Sequence, residues 1–211
     1  KKTEMDIVYF KAFCFKVCLE NGKKKLYMAS PFADEQTQVI PKSSGDMKRR
    51  AVQYVLGGLI FGGIFIVIIF LLICFLLLLN IESCFLWGMI PYAVYLQLLN
   101  CIPVEYAQGK TDMLVYLGIK NNADAENVML SVMEIQGQLY EGKSFSEIDE
   151  TWYFNLPQLC EDEPLFTILL DLRYRYYLER DDIEKAADCL NRLVNAQAYI
   201  SEVEMRKVAT E

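Results

Sequence analysis

Residues 51–79 read AVQYVLGGLIFGGIFIVIIFLLICFLLLL. No side chain in this stretch is charged, and apart from Gln53 every residue is apolar, glycine or tyrosine. As a helix the run reaches about 43 Å, against a hydrocarbon core of about 30 Å. The sequence therefore predicts a membrane span that tilts or projects beyond the bilayer. A cleaved leader does not fit, because the run is too long and starts only at residue 51.

A second apolar run, Ile81 to Leu99, follows almost at once. It is less uniform, with Glu82 at its start, Pro91 within it and Gln97 near its end. Between the two runs only Asn80-Ile81-Glu82-Ser83 is clearly polar, so they are expected to form a tight transmembrane helical hairpin. Met47-Lys48-Arg49-Arg50 directly precedes the first run, and the positive-inside rule places that end in the cytoplasm. The return helix brings the chain back to the same side. Both soluble ends are then expected to be cytoplasmic, in an integral membrane protein.

The expected fold class is membrane α-helical, in three parts. Residues 1–46 form a β-hairpin and linker, 47–120 the transmembrane hairpin with its loop, and 121–211 an acidic, soluble all-α domain. In the first part, Ile7-Val8-Tyr9-Phe10 and Phe13–Leu19 are rich in aromatic and β-branched residues. Asn21-Gly22 then supplies a turn before Lys23–Met28. The lysines at this tip either touch anionic headgroups or form an ordinary solvated end. Residues 30–46, with Pro31, Pro41 and Ser43-Ser44-Gly45, read as linker.

In the third part, Asn122–Glu141 has apolar residues at helical spacing (Val128, Met129, Val132, Ile135, Leu139, Tyr140), and Gly142 ends it. Thr151–Pro164 reads as irregular, and two amphipathic helices follow over 165–179 and 183–198. The stretch 173–187 resembles the middle of one tetratricopeptide helix-turn-helix repeat. A solenoid needs about three such units.

Charge divides along the chain. Residues 1–120 carry 13 Lys/Arg against 9 Asp/Glu (+4), and 121–211 carry 8 against 19 (−11). So acidic a tail is no nucleic-acid surface. Its functional reading is a docking face for a basic partner, and its structural reading a solvated helical surface. The seven cysteines form no CxxC pair, and the chain has no histidine, so none has an imidazole as base or zinc co-ligand.

One carboxylate stands out. Asn100-Cys101-Ile102-Pro103 closes the second run, and Gly109-Lys110-Thr111-Asp112 follows after a short loop. Ionisable groups near membrane depth are rare and usually functional. Non-helical backbone there must be buried in protein or line a watery cavity. A carboxylate delivered by such a loop suits a hard or borderline cation. The alternative is that Asp112 simply N-caps a helix Met113–Ile119.

Taken together, the Asn-Gly hairpin, Leu56-Gly57-Gly58 on a membrane helix, Asn-x-x-Pro, Gly-x-x-Asp and the acidic helical tail resemble the site-2-protease group of intramembrane zinc metallopeptidases. The tail adds Phe145-Ser146-Glu147-Ile148, Asn155-Leu156-Pro157 and Leu172-Arg173-Tyr174 to the likeness. The resemblance implies peptide-bond hydrolysis within or near the bilayer, by a zinc held on His-Glu-x-x-His. It implies Asp112 as the third zinc ligand, and a presenting loop shaped by Asn100, Pro103, Gly109 and Thr111. It also implies helix-packing glycines at Gly57, Gly58 and Gly62.

The chain departs from that pattern in three places. His-Glu-x-x-His is missing, Met113 follows Asp112 where the family has Gly, and Gly62 stands where the family has Asn. Two explanations remain open. Either the chain is a fragment whose zinc helix precedes residue 1, or it is a degenerate paralogue, a catalytically inactive membrane protein that binds a peptide or protein partner.

Overall fold

The computed structural model describes residues 5–12, 15–20, 23–28, 36–81, 84–106, 109–161 and 163–196. The protein is mostly helical, with a small antiparallel sheet near its N-terminus and one long apolar helix. It divides into two units, Lys1–Met47 with Asn127–Glu211, and Lys48–Glu126.

In the first unit, strands β1 (Met5–Ala12), β2 (Phe15–Glu20), β3 (Lys23–Met28) and β4 (Gln36–Pro41) form a sheet of order β3-β2-β1-β4. Every pairing is antiparallel. Glu20 pairs with Lys23 and so brackets Asn21-Gly22, which lies outside the described residues, as does Pro31. Strand β4 corrects the reading of 30–46 as linker alone. Thr37, Val39 and Ile40 are β-branched and favour extended backbone, and β1 offers them a free edge. Pro41 closes that strand, because it has no N–H to give a further ladder bond.

The turn after β4 is bolted to helix α4 (Asp124–Tyr140). Gly45 and Asp46 both have positive φ, +86° and +53°. The Gly45 N–H donates to both carboxylate oxygens of Glu134, at 2.8 and 3.1 Å. Ser44 donates to Glu141 through its N–H (2.8 Å) and its hydroxyl (2.9 Å). Buried Glu134 also accepts from Gln138, which in turn accepts from Lys143. A methyl on Gly137 would sit 2.8 Å from the Ser43 carbonyl, so only glycine lets the turn approach α4 so closely. Val128, Val132 and Ile135 face the core as the periodicity predicts, whereas Tyr140 is half exposed. The helix starts at Asp124, two residues later than expected, because Asn122 adopts φ +54° and caps the preceding helix. Gly142, at φ +94°, ends it.

The segment 151–164 is not wholly irregular, since it contains the short helix α5 (Thr151–Phe154). Two longer helices follow, α6 (Pro164–Glu179) and α7 (Ile183–Ala196), close to the spans read from the sequence; residues 197–211 lie outside the described set. Pro164 suits the first turn of α6, where its missing N–H has no partner to lose. Asp181, at φ +57°, ends α6, and Asp182 accepts the Lys185 N–H to start α7. Phe166, Leu169, Leu170, Leu172 and Tyr176 of α6 are buried, with Ala186 and Cys189 of α7. Burial pushes up the Cys189 thiol, so it acts as a small apolar filler.

In the second unit, helix α1 (Met47–Leu78) begins on Met47 and spans 32 residues, about 48 Å at 1.5 Å per residue. Among the described residues it is the one helix long and apolar enough to cross a membrane. Large apolar groups are exposed around its circumference, including Phe61, Phe65, Val67, Ile68 and Leu71. Exposed apolar surface of this extent marks a membrane or protein interaction face. The helix ends where Asn80 takes φ +53°: Asn80 N–H donates to Leu77 O and Ile81 N–H to Leu76 O, the double-bonded left-handed stop. Helix α2 (Cys84–Cys101) has 18 residues, with Pro91 inside it.

Candidate functional site

The loop expected to present Asp112 is built around Thr111. Beyond α2, two short strands pair, β5 (Glu105–Tyr106) with β6 (Gly109–Lys110), and helix α3 (Asp112–Asn121) follows. Gly109 has φ +133°, a conformation that side chains with a Cβ rarely adopt. Thr111 is buried, and its hydroxyl donates to Ile102 O at 2.8 Å. The same oxygen accepts from Val104 N–H (3.2 Å) and Leu114 N–H (3.4 Å), while Thr111 N–H donates to Val104 O. One side chain thus ties the end of α2 to the start of α3.

Thr111 is therefore the N-cap, not Asp112. The threonine backbone is extended, and its hydroxyl reaches the third amide of the helix. Asp112 is the first helical residue, where it still complements the positive end of the helix dipole but is free of capping duty. Its carboxyl lies against α1: a methyl on Gly58 would meet Asp112 Oδ2 at 2.9 Å. Tyr54, one turn before Gly58, is close enough for the two groups to interact electrostatically. No hydrogen bond reaches the Asp112 carboxyl among the described residues. The loop's own cation, Lys110, is bonded to Glu126 at 2.8 Å instead. Burial pushes the Asp112 carboxyl above the usual carboxylate range.

Gly58 and Gly62 form a Gly-x-x-x-Gly stripe on α1 that admits neighbouring polar groups. Gly62 faces Gln97 of α2 so closely that any Cβ would collide with its carboxamide. Gln97 Nε2 donates to the Leu59 carbonyl at 2.7 Å, a bond between the two helices. Gly57, by contrast, is open: a methyl there would meet nothing within 4 Å. Asn100 is exposed on the last turn of α2 without a side-chain hydrogen bond among the described residues, and Pro103 is exposed beyond its end. The structure thus joins Asp112, Thr111 and Gly58, and separately Gly62 and Gln97. Asn100 and Gly57 join neither group. Tyr54 and Gln97 were the residues to find, as polar groups at helix spacing or facing position within apolar runs.

A zinc centre needs three or four protein donors. Among the described residues no three His, Cys, Asp or Glu side chains converge, so Asp112 stands alone and these residues do not by themselves fit zinc. One consequence is testable through stability. The folded state binds the Asp112 proton more tightly than the unfolded chain, so ionisation costs stability as pH rises from the ordinary carboxylate pKa through the raised one. Asp112→Asn is expected to be slightly more stable than the parent at neutral pH, by less than about 1 kcal/mol because the group is only half-buried and the helix dipole opposes the gain. The difference should vanish near pH 4 in detergent melts. A destabilised variant at neutral pH would contradict the burial account.

The first unit holds a separate open pocket of about 620 Å³. Phe154, Tyr176 and Tyr177 form its aromatic wall, with ring centroids 5.4–5.6 Å apart. Arg180 lies 4.6 Å from the Tyr176 ring centre and Lys185 5.4 Å from that of Tyr177. Both cations sit beside acids, Arg180 near Glu150 (4.0 Å) and Lys185 on Asp182 (2.7 Å). The Asn155 carboxamide at the rim has no hydrogen bond among the described residues. No family model, curated protein or solved structure matches the chain.

Proposed function

We propose that the chain is the major part of a site-2-protease-like intramembrane zinc metallopeptidase. In this reading α1 and α2 are a two-span hairpin in a bacterial plasma membrane. Lys48, Arg49 and Arg50 mark the cytoplasmic end, and the acidic helices beyond α3 form a tetratricopeptide-like cytoplasmic domain. What supports it is one observation: the Asp112 carboxyl is released from capping by Thr111 and laid against Gly58 of the apolar helix. An unpaired, half-buried carboxyl at such a place carries a free-energy cost that a purely structural residue would not. Two histidines and a glutamate base would come from outside these residues, and no hydrolytic step is assigned to this chain.

Zinc content of the natural full-length protein in detergent tests the proposal. About one tightly held zinc is expected, lost on Asp112→Ala but retained on Glu126→Gln. No zinc in the parent, or zinc indifferent to Asp112, would sink it.

The second reading is a catalytically silent membrane protein that binds a peptide or protein partner. The pocket around Phe154, Tyr176 and Tyr177 favours it, because the unpartnered Asn155 carboxamide offers a donor and an acceptor matched to a peptide bond. A zinc-free parent protein that nevertheless retains a partner, and loses it on Asn155→Ala, would select this reading.

A further inference from the structure

Helix α7 is apolar over a wider arc than its own hairpin covers. At about 100° per residue, Ala186, Cys189 and Leu193 lie within an arc of about 60°, and Ile183, Ala187, Leu190 and Val194 fill a second arc of about the same width beside it. The first group turns inward, with Ala186 and Cys189 buried. The second does not: Ile183 is 62 %, Leu190 44 % and Val194 59 % exposed, and Ala187 is exposed between them. Their spacing of four, three and four residues is the a/d repeat with which one helix seats another. None of the four lines the pocket around Phe154.

Charge narrows the occupant. The two cations of α7 are taken within the chain, Lys185 by Asp182 and Arg192 by Glu161, each at 2.7 Å. Glu184 and Asp188, both exposed on the polar side of the stripe, form no ion pair among the described residues. We propose that this stripe seats an amphipathic helix of a partner protein, apolar at its a and d positions and carrying Lys or Arg along the edge that meets Glu184 and Asp188. A second copy is a poorer fit, because it would bring two such acidic edges together, and so is an anionic lipid surface. Residues 197–211 also match less well, with three Glu against Arg206 and Lys207. The inference does not depend on whether the chain holds zinc.

Fluorescence anisotropy tests this with a labelled peptide of about 21 residues, Leu at a and d and Lys at e and g. The full chain is held in phosphatidylcholine nanodiscs, with empty discs as the blank. Saturable binding is expected. It should weaken about tenfold or more when Glu replaces Lys in the peptide, or when the chain carries Leu190→Asp/Val194→Asp. Both residues are exposed, so this variant should keep the parent's helicity and melting temperature. Glu184→Lys/Asp188→Lys leaves the stripe intact and should turn the preference toward the Glu peptide. Tyr140→Asp, at an exposed apolar position of α4, serves as control. No binding, or binding indifferent to the changes in α7, overturns the proposal. So does a dimer in sedimentation that Leu190→Asp/Val194→Asp dissociates, which makes the occupant a second copy. Tighter peptide binding on Ile200→Asp/Val203→Asp also overturns it, because the chain's own residues 197–211 then hold the stripe.

Discussion

Tyr153→Ala is expected to unfold the helical part of the first unit at temperatures the parent survives, at a cost of about 3–5 kcal/mol. Tyr153 is fully buried, with its ring 4.7 Å from that of Tyr176. Its hydroxyl donates to Phe145 O at 3.1 Å, and its carbonyl accepts from Arg173 Nε at 2.8 Å. One residue of α5 thus joins α6 to the turn before it, and the small residue leaves a cavity that rigid helix ends cannot fill. Tyr153→Phe keeps the ring and leaves only the Phe145 carbonyl unsatisfied, so about 1 kcal/mol is expected. Near-UV circular dichroism melts of the detergent-solubilised chain separate the two, and an alanine variant melting with the parent would refute the packing account.

The same residue predicts an alkaline limit. Burial first, then the charge of Glu179 and the neighbouring Tyr176, push the Tyr153 hydroxyl well above its ordinary value near 10. The folded state holds that proton while the unfolded chain releases it, so stability is full below about pH 10 and declines above it. Tyr153→Phe should remove this part of the decline.

Some of this architecture was plain in the sequence. Twenty-nine uncharged residues in a row define α1 by length alone, and Gly142 and the residues 180–182 mark helix ends through local backbone chemistry. Features that depend on partners distant in sequence were not legible. Strand β4 exists because β1 has an edge to offer, which no local pattern of six residues announces. Short α5 is stabilised by Tyr153 burying itself, a tertiary effect on a four-residue helix. At the candidate site, the spacing Thr-Asp before an apolar run allows either residue to cap. Only the position of the Ile102 carbonyl and the Val104 amide around the Thr111 hydroxyl decides between them. That choice is what leaves Asp112 without a structural duty.

Read alone, Gly62 offers no polarity, yet the polar group at this level is supplied across the helix pair by Gln97. Gly62→Leu is expected to cost about 2–4 kcal/mol, combining overpacking with loss of the Gln97–Leu59 bond. A leucine cannot share space with the Gln97 carboxamide, and a displaced carboxamide in an apolar environment lacks a partner. Gly57→Leu, at a position open beyond 4 Å, should be nearly neutral despite the identical chemistry. Gln97→Leu alone should cost less than Gly62→Leu, because it removes the polar group rather than stranding it. Combining Gly62→Ala with Gln97→Ala should recover part of the loss from Gly62→Ala alone, since the two residues compete for one volume. Graded unfolding in mixed detergent micelles measures all five variants. Equal effects at Gly57 and Gly62 would show that glycine matters on α1 for flexibility or lipid contact, and that the α1–α2 pair does not depend on this bond.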